Sequence, residues 1–210
     1  MRNTFKYAAF RAAVSIVAAI VMFSSCSFAP KGYKKYENKD AEISLVYPEN
    51  WDIRSYEGSV VNFFSPREDA EDNFYENVGI VTIPLIGYDL NDDGLSDEIS
   101  LDEYISFSKA EIGLYIDDYT ELEIKDITVG DIAAKRLVYT GREKLSEGDE
   151  VSEEMDADEK AETEPVTYKW IQVIAIHDEV AYIITYTSLT DSPDVYIEMF
   201  DKMIDNCKIG

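Results

Sequence analysis

The sequence predicts an α+β fold: an antiparallel sheet with helices packed on it. Three observations predict it. Short β-branched and aromatic runs recur along the chain, and the later ones come as pairs joined by tight turns. Only two segments, one opening at Leu101 and one at Ser192, carry apolar residues at helical spacing. A hydrophobic fraction of 46%, an aromatic fraction of 12% and the absence of an internal repeat lead us to expect one core, spanning residues 33–210.

Residues 33–36 and 43–47 read as strands, the second placing Ile43, Leu45 and Tyr47 on one face before Pro48 ends it. Pro48-Glu49-Asn50-Trp51 reads as a turn that delivers a tryptophan. Residues 60–64 and 78–85 are the next two strands, and the four together are expected to form a meander with local pairing throughout. From Leu101 the period changes. Leu101, Tyr104, Ile105, Phe107, Ile112, Leu114, Tyr115 and Ile116 define a helix, and Ser100 with Glu103 supplies a capping box. Residues 122–129 and 132–139 form a hairpin across Gly130-Asp131; 167–176 and 180–187 form another across His177-Asp178-Glu179. Ser192, Pro193 and Asp194 open a last helix, with Val195, Met199, Met203, Phe200 and Ile204 expected to face the core.

The N-terminus is a separate matter. Arg2, Lys6 and Arg11 precede an apolar run from Ala12 to Phe23, an export signal pattern. The run is about a dozen residues long, short of the roughly 20 that a membrane-spanning helix needs. Small residues, Ser24 and Ser25, stand before Cys26 and resemble the lipobox of bacterial lipoproteins. Residues 1–25 are therefore expected to be a lipoprotein signal peptide and 26–32 a linker, with Cys26 lipidated and the protein held on the extracytoplasmic face of a membrane. An ordinary cleaved signal would instead leave Cys26 free to pair with Cys207, the only other cysteine.

Removing residues 1–25 takes away three bases and no acid, moving the net charge from −24 to −27. Nucleic acid and anionic lipid headgroups repel such a body, so membrane attachment falls to the lipid. Residues 143–165 are dense in Asp and Glu and poor in large apolar side chains, the composition of a mobile acidic loop interrupting the domain.

The sharpest local motif is Asp89-Leu90-Asn91-Asp92-Asp93-Gly94-Leu95-Ser96-Asp97. Its spacing is that of calcium loops, in which Asp89, Asn91 and Asp93 would offer side-chain oxygens, Leu95 its carbonyl, and Asp97 a direct or water-borne contact. Calcium is the one cofactor this suggests. The loop departs from the pattern at its twelfth position, Ser100, so Asp102 or Glu103 would have to supply that ligand from a shifted register. An acidic surface turn has the same composition.

A single histidine, His177, makes a histidine-based zinc site or a Ser-His-Asp relay hard to assemble, and reads as a hairpin residue. Paired carboxylates could serve a hydrolase, but among 43 acids no pair stands out. Phe74-Tyr75 lies in an acidic loop and is expected to be an exposed aromatic contact for a partner.

Tyr47-Pro48-Glu49-Asn50-Trp51 after a short strand, followed by a strand ending Phe63-Phe64-Ser65-Pro66, resembles the opening of PsbP-like proteins. The helix start at Leu101-Asp102-Glu103-Tyr104, the Gly130-Asp131-Ile132-Ala133-Ala134 hairpin, the strands around Tyr168 and Tyr182 and the helix with Met199-Phe200 and Met203-Ile204 follow in the same order. The resemblance covers residues 33–208 and implies an α/β/α sandwich, found in extrinsic photosystem II subunits and in many bacterial lipoproteins. The plant members assist calcium and chloride retention; no residues here match their metal-retaining positions. What the resemblance implies is a fold and a habit of binding other proteins. The reading is thus a membrane-anchored, non-enzymatic protein-binding module, calcium-stabilised through the Asp89 loop, with an unidentified protein partner. A cation-scavenging module is the alternative, and a carboxylate-based hydrolase a more distant one.

Overall fold

The structure, a computed structural model, describes residues 29–70, 72–87, 98–144, 166–193 and 195–210. The signal segment, Cys26, the Asp89 loop through Asp97, most of the acidic segment and Asp194 lie outside the described residues.

Strands β1 (Tyr33–Asn38) and β2 (Ile43–Pro48) pair antiparallel, Tyr36 opposite Leu45, and β2 also pairs with a short C-terminal strand, β10 (Lys208–Ile209). The chain then leaves this sheet. Pro48 lacks the N–H that would continue the ladder, and its carbonyl accepts from Trp51 N–H at 3.0 Å. Strands β3 (Asp52–Arg54), β4 (Val61–Phe64) and β5 (Asn77–Pro84) begin a second, seven-stranded sheet ordered β3-β4-β5-β9-β8-β7-β6, where β6 is Ile116–Val129, β7 Ile132–Glu143, β8 Tyr168–His177 and β9 Val180–Leu189. Every neighbouring pair is antiparallel.

Two expectations are corrected. The first four strands are not one meander, because the chain changes sheets at Trp51. Nor are all pairs local: β5 pairs with β9, Val78 opposite Tyr186, over a long stretch of intervening chain. Both are β-branched strands buried on one face, and that pattern sets which residues point inward without choosing a neighbour. The acidic segment also begins later than expected, since Glu143 closes β7 opposite Ile116.

The large sheet is covered on both faces. Against one lies helix α1 (Leu101–Tyr115), which buries Tyr104 and Ile105 among Leu137, Tyr139, Trp170 and Ile174. The other face, lined by Val61, Phe63, Val78, Ile80, Ile184 and Tyr186, packs against the small sheet and helix α2 (Val195–Asp205). This is the expected sandwich.

At the start of α1 the predicted capping box is present: Glu103 N–H donates to Ser100 Oγ at 3.3 Å and Ser100 N–H to Glu103 Oε2 at 2.9 Å. The inward stripe is shorter than expected. Leu114 is 66% and Tyr115 70% exposed, because Leu114 lies half a turn around from Ile105 and Tyr115 is where the chain bends into β6. In α2 the buried stripe is Tyr196, Phe200, Met203 and Ile204, whereas Val195, expected inside, is 45% exposed. Pro193 precedes the helix, and its carbonyl accepts from Tyr196 N–H at 3.4 Å.

Both predicted hairpins form. Asp178 and Glu179 make a two-residue turn, both with positive φ (47° and 58°), and His177 pairs with Val180 at its root. Strand β6 is bulged between Asp117 and Thr120 and again between Glu121 and Glu123. The first bulge presses on Gly141, where a Cβ would strike Ile116 Cγ2 and come within 2.9 Å of the Asp117 carbonyl. Gly141→Ala is therefore expected to cost about 1–3 kcal/mol, the usual penalty for overpacking. Its urea midpoint should fall while that of Gly113→Ala, where nothing lies near, does not.

Candidate functional site

The two ends of the Asp89 loop can be placed. Residue Leu85 leads out of β5, held by its N–H on the Glu179 carbonyl at 2.7 Å, and Glu98 leads back towards α1. Between them a cleft of ≈ 300 Å³ is lined by Leu85, Glu98, Ile99, Ile176, Asp178 and Glu179. The substitutes expected for the twelfth ligand are already engaged. Glu103 serves the capping box, whose Ser100 hydroxyl and N–H hold its carboxyl below the usual range, and Asp102 meets Lys135 Nζ at 3.0 Å. Among the described residues, no three His, Cys, Asp or Glu side chains are grouped to hold a metal ion.

The expected exposed aromatic pair is turned into its own chain. Phe74 is half-buried at the end of a row of rings, 5.8 Å from Tyr168, which in turn is 5.5 Å from Trp170. Tyr75 is half-buried too, with the Arg67 guanidinium 5.4 Å from its ring centre. Loop residues that looked unsupported in sequence find cover because β8 ends beneath them.

Immediately after the pair comes a buried carboxylate that the sequence reading did not single out. Glu76 is 5% exposed and accepts hydrogen bonds from Ser65 Oγ (3.0 Å) and Ser192 Oγ (2.7 Å). It stands one residue before β5, beside Ser65 at the end of β4, and joins both to the approach to α2. Burial, and then the Glu68 carboxylate that accepts its hydrogen bond, push the nearby Tyr196 hydroxyl up to about 12. Two serines and an acid far apart in sequence gave no motif to find. This cluster ties elements together.

Cys207 lies two residues beyond α2 and is buried, with no disulfide among the described residues; its candidate partner Cys26 lies outside them. Burial pushes its thiol up to about 12, so little of it is thiolate at neutral pH.

The outer edge of the large sheet is different in kind. Nothing among the described residues pairs with the far side of β6, which at 14 residues is the longest strand. Of nine exposed large apolar residues among those described, two lie in this strand, Leu122 at 56% and Ile124 at 42%, and two more, Leu114 and Tyr115, end the helix that runs into it. All five β6 carboxylates meet cations of their own chain. Asp117 faces Lys144 and Asp118 faces Arg142; Glu121 pairs with Lys109. Glu123 is held by Lys125 and Arg136, and Asp126 by Lys135. In a chain of net charge −24 this edge is locally balanced. Sequence alone could not mark it, since exposure of Leu122 and Ile124 follows from β6 being outermost.

Solved structures share this fold. Cyanobacterial PsbP from Synechocystis matches 90% of this chain and 99% of its own at 12% identity, with a TM-score of 0.54. LpqN of Mycobacterium tuberculosis, described as involved in cell envelope biogenesis, matches 80% and 82% at 11% identity and 0.54. The yeast Ran-binding protein Mog1p matches 84% and 95% at 11% identity and 0.55. This chain also spans about half, 49%, of a longer Bacteroides thetaiotaomicron protein, at 13% identity and 0.50, covering 85% of itself. No protein-family model matches the chain, and no curated protein matches it by sequence. The fold is therefore PsbP-like, as the Tyr47–Trp51 motif and the order of elements suggested. Among the described residues no helix is long and apolar enough to cross a membrane.

Proposed function

We propose that the chain is an extracytoplasmic lipoprotein, anchored through Cys26, that works without catalysis by holding another protein along the outer edge of β6. The observation that carries this reading is the edge itself, with Leu122 and Ile124 exposed on a strand that has no outer neighbour among the described residues. The short apolar run before Ser24-Ser25-Cys26 supports the anchor. The description of LpqN as involved in cell envelope biogenesis and of Mog1p as a Ran-binding protein fits an envelope module that binds proteins. Phe74 and Tyr75 are a secondary surface in this proposal, limited to what their own packing leaves open.

The test is a double substitution, Leu122→Glu with Ile124→Glu, in the anchored chain. Neither side chain is buried, so the melting transition should be nearly unchanged. Native electrophoresis of solubilised membranes should show the wild-type chain in a larger assembly and the variant released from it. Equal migration of the two would remove the edge as the contact.

Calcium in the Asp89 loop is the second part of the proposal, supported by the Asp89-x-Asn91-x-Asp93-Gly94 spacing. Asp102 and Glu103 are engaged, and the carboxylates that line the cleft between Leu85 and Glu98 are those of Glu98, Asp178 and Glu179. Calorimetric titration of the metal-stripped chain should reveal one site, lost in Asp89→Ala/Asp93→Ala. Weak heat of many sites, unchanged in that variant, would leave a plain acidic turn.

A further inference from the structure

We infer that the occupant of the β6 edge is a second copy of this chain, added strand to strand so that two seven-stranded sheets continue into one. The inference rests on the reading of that edge as a contact surface and adds the identity of the occupant.

Backbone geometry comes first. The hairpin turn has two residues, Gly130 and Asp131, flanked by the Val129/Ile132 pair. A two-residue turn makes its flanking pair a hydrogen-bonded one, and the ladder then alternates. Val129, Ile127, Lys125 and Glu123 thus spend their N–H and C=O groups on β7. Ile124, Asp126 and Thr128 direct theirs outward. The stretch from Glu123 to Val129 is regular, since both bulges lie before it. An outward row of backbone donors and acceptors on a regular strand is a template for another strand.

Charge then selects the occupant. A basic extended segment would need free carboxylates, and each β6 carboxylate is already held by its own chain, Asp126 by Lys135 at 2.6 Å and Glu123 by Arg136 at 3.2 Å. What the edge accepts is a charge-balanced strand with apolar side chains exposed beside it. The edge itself is such a strand. Elsewhere the acidic bodies repel each other, but screening over about 8 Å at physiological ionic strength leaves the local balance in control of the contact. A shared membrane anchor would hold copies on one surface and raise their effective concentration. An antiparallel pairing about a two-fold axis at Ile124 is self-complementary, as closed dimers require; residues 123–125 pair within the regular stretch, and Asp126 comes opposite Leu122 of the copy, at its second bulge. It sets Ile124 beside its own copy.

The experiment introduces Ile124→Cys into the full anchored chain and reads disulfide-linked dimer on a non-reducing gel after free thiols are blocked. Paired residues in a hydrogen-bonded antiparallel ladder have Cα atoms about 5.5 Å apart, inside the about 4.4–6.8 Å range a disulfide spans. Dimer should form with Ile124→Cys and be absent from the wild type and from Tyr56→Cys, which is exposed just beyond the opposite edge strand. Adding Asp126→Pro removes an outward N–H together with the exposed Asp126 carboxylate, leaves Lys135 its contact with Asp102, and should abolish the dimer while the melting transition persists. Leu122→Glu, which leaves every backbone group in place, is the second disruptor. No dimer above the Tyr56→Cys level, or a dimer that survives both disruptors in folded protein, overturns the inference. If dimer is absent but the wild-type chain still migrates in a larger assembly that Leu122→Glu/Ile124→Glu dissolves, the contact surface stands and only its occupant is wrong.

Discussion

Phe200→Ala should lower the unfolding free energy by about 3–5 kcal/mol, the range for removing a fully buried aromatic side chain. Phe200 is 0% exposed and its ring stacks on Tyr186 at 5.7 Å, joining α2 to the middle of the large sheet. Around it, Met203 and Ile204 from the same helix and Ile43 and Leu45 from β2 complete a layer shared by helix and small sheet. The surrounding strands cannot close the cavity, because Tyr186 is held in its ladder between β5 and β8. Val195→Ala, on the exposed side of the helix, should change stability by less than about 0.5 kcal/mol. Urea denaturation of both variants distinguishes the observed stripe from the one expected in sequence; similar losses at the two positions would restore the latter.

Glu76→Ala is the second large effect, about 2–4 kcal/mol, since leaving the buried Ser65 hydroxyl without its acceptor costs about 1–3 kcal/mol and the lost bond of the half-buried Ser192 hydroxyl adds about 1 kcal/mol. The approach to α2 would lose its tie to β4 and β5. Glu76→Gln, which keeps an acceptor oxygen, should fall between the alanine variant and the wild type. Thermal melts of the three proteins check this, and an alanine variant as stable as wild type would mean that the acid only fills space.

These residues also show how far the sequence carries. The helix start at Ser100, the Gly130 hairpin and the inward face of Ile43, Leu45 and Tyr47 in β2 are local, set by capping, turn chemistry and side-chain period, and they were legible. The neighbour of β5 was not, because a strand pattern specifies a buried face and leaves the partner to the whole sheet. Strand β10 escaped for the same reason: Lys208–Ile209 is two residues long and exists only because β2 has a free side there. Of the candidate sites, the calcium-loop spacing and the lipobox-like cysteine are sequence motifs outside the described residues. Phe74-Tyr75 looked exposed because their loop is acidic, whereas Tyr168 and Arg67, distant or inconspicuous in sequence, cover them. The β6 edge could emerge only from strand order, since Leu122 and Ile124 would be covered if β6 lay inside the sheet.

The central claim is that this edge is covered by protein when the chain is in its cell. Photo-crosslinking in intact cells tests it most directly, with a photoreactive residue at Leu122 in one chain and at Tyr56, just beyond the opposite edge, in another. The account predicts one discrete adduct from Leu122, to a second copy or to another protein, and none from Tyr56. Adducts from Tyr56 alone, or the same diffuse set from both positions, would contradict it.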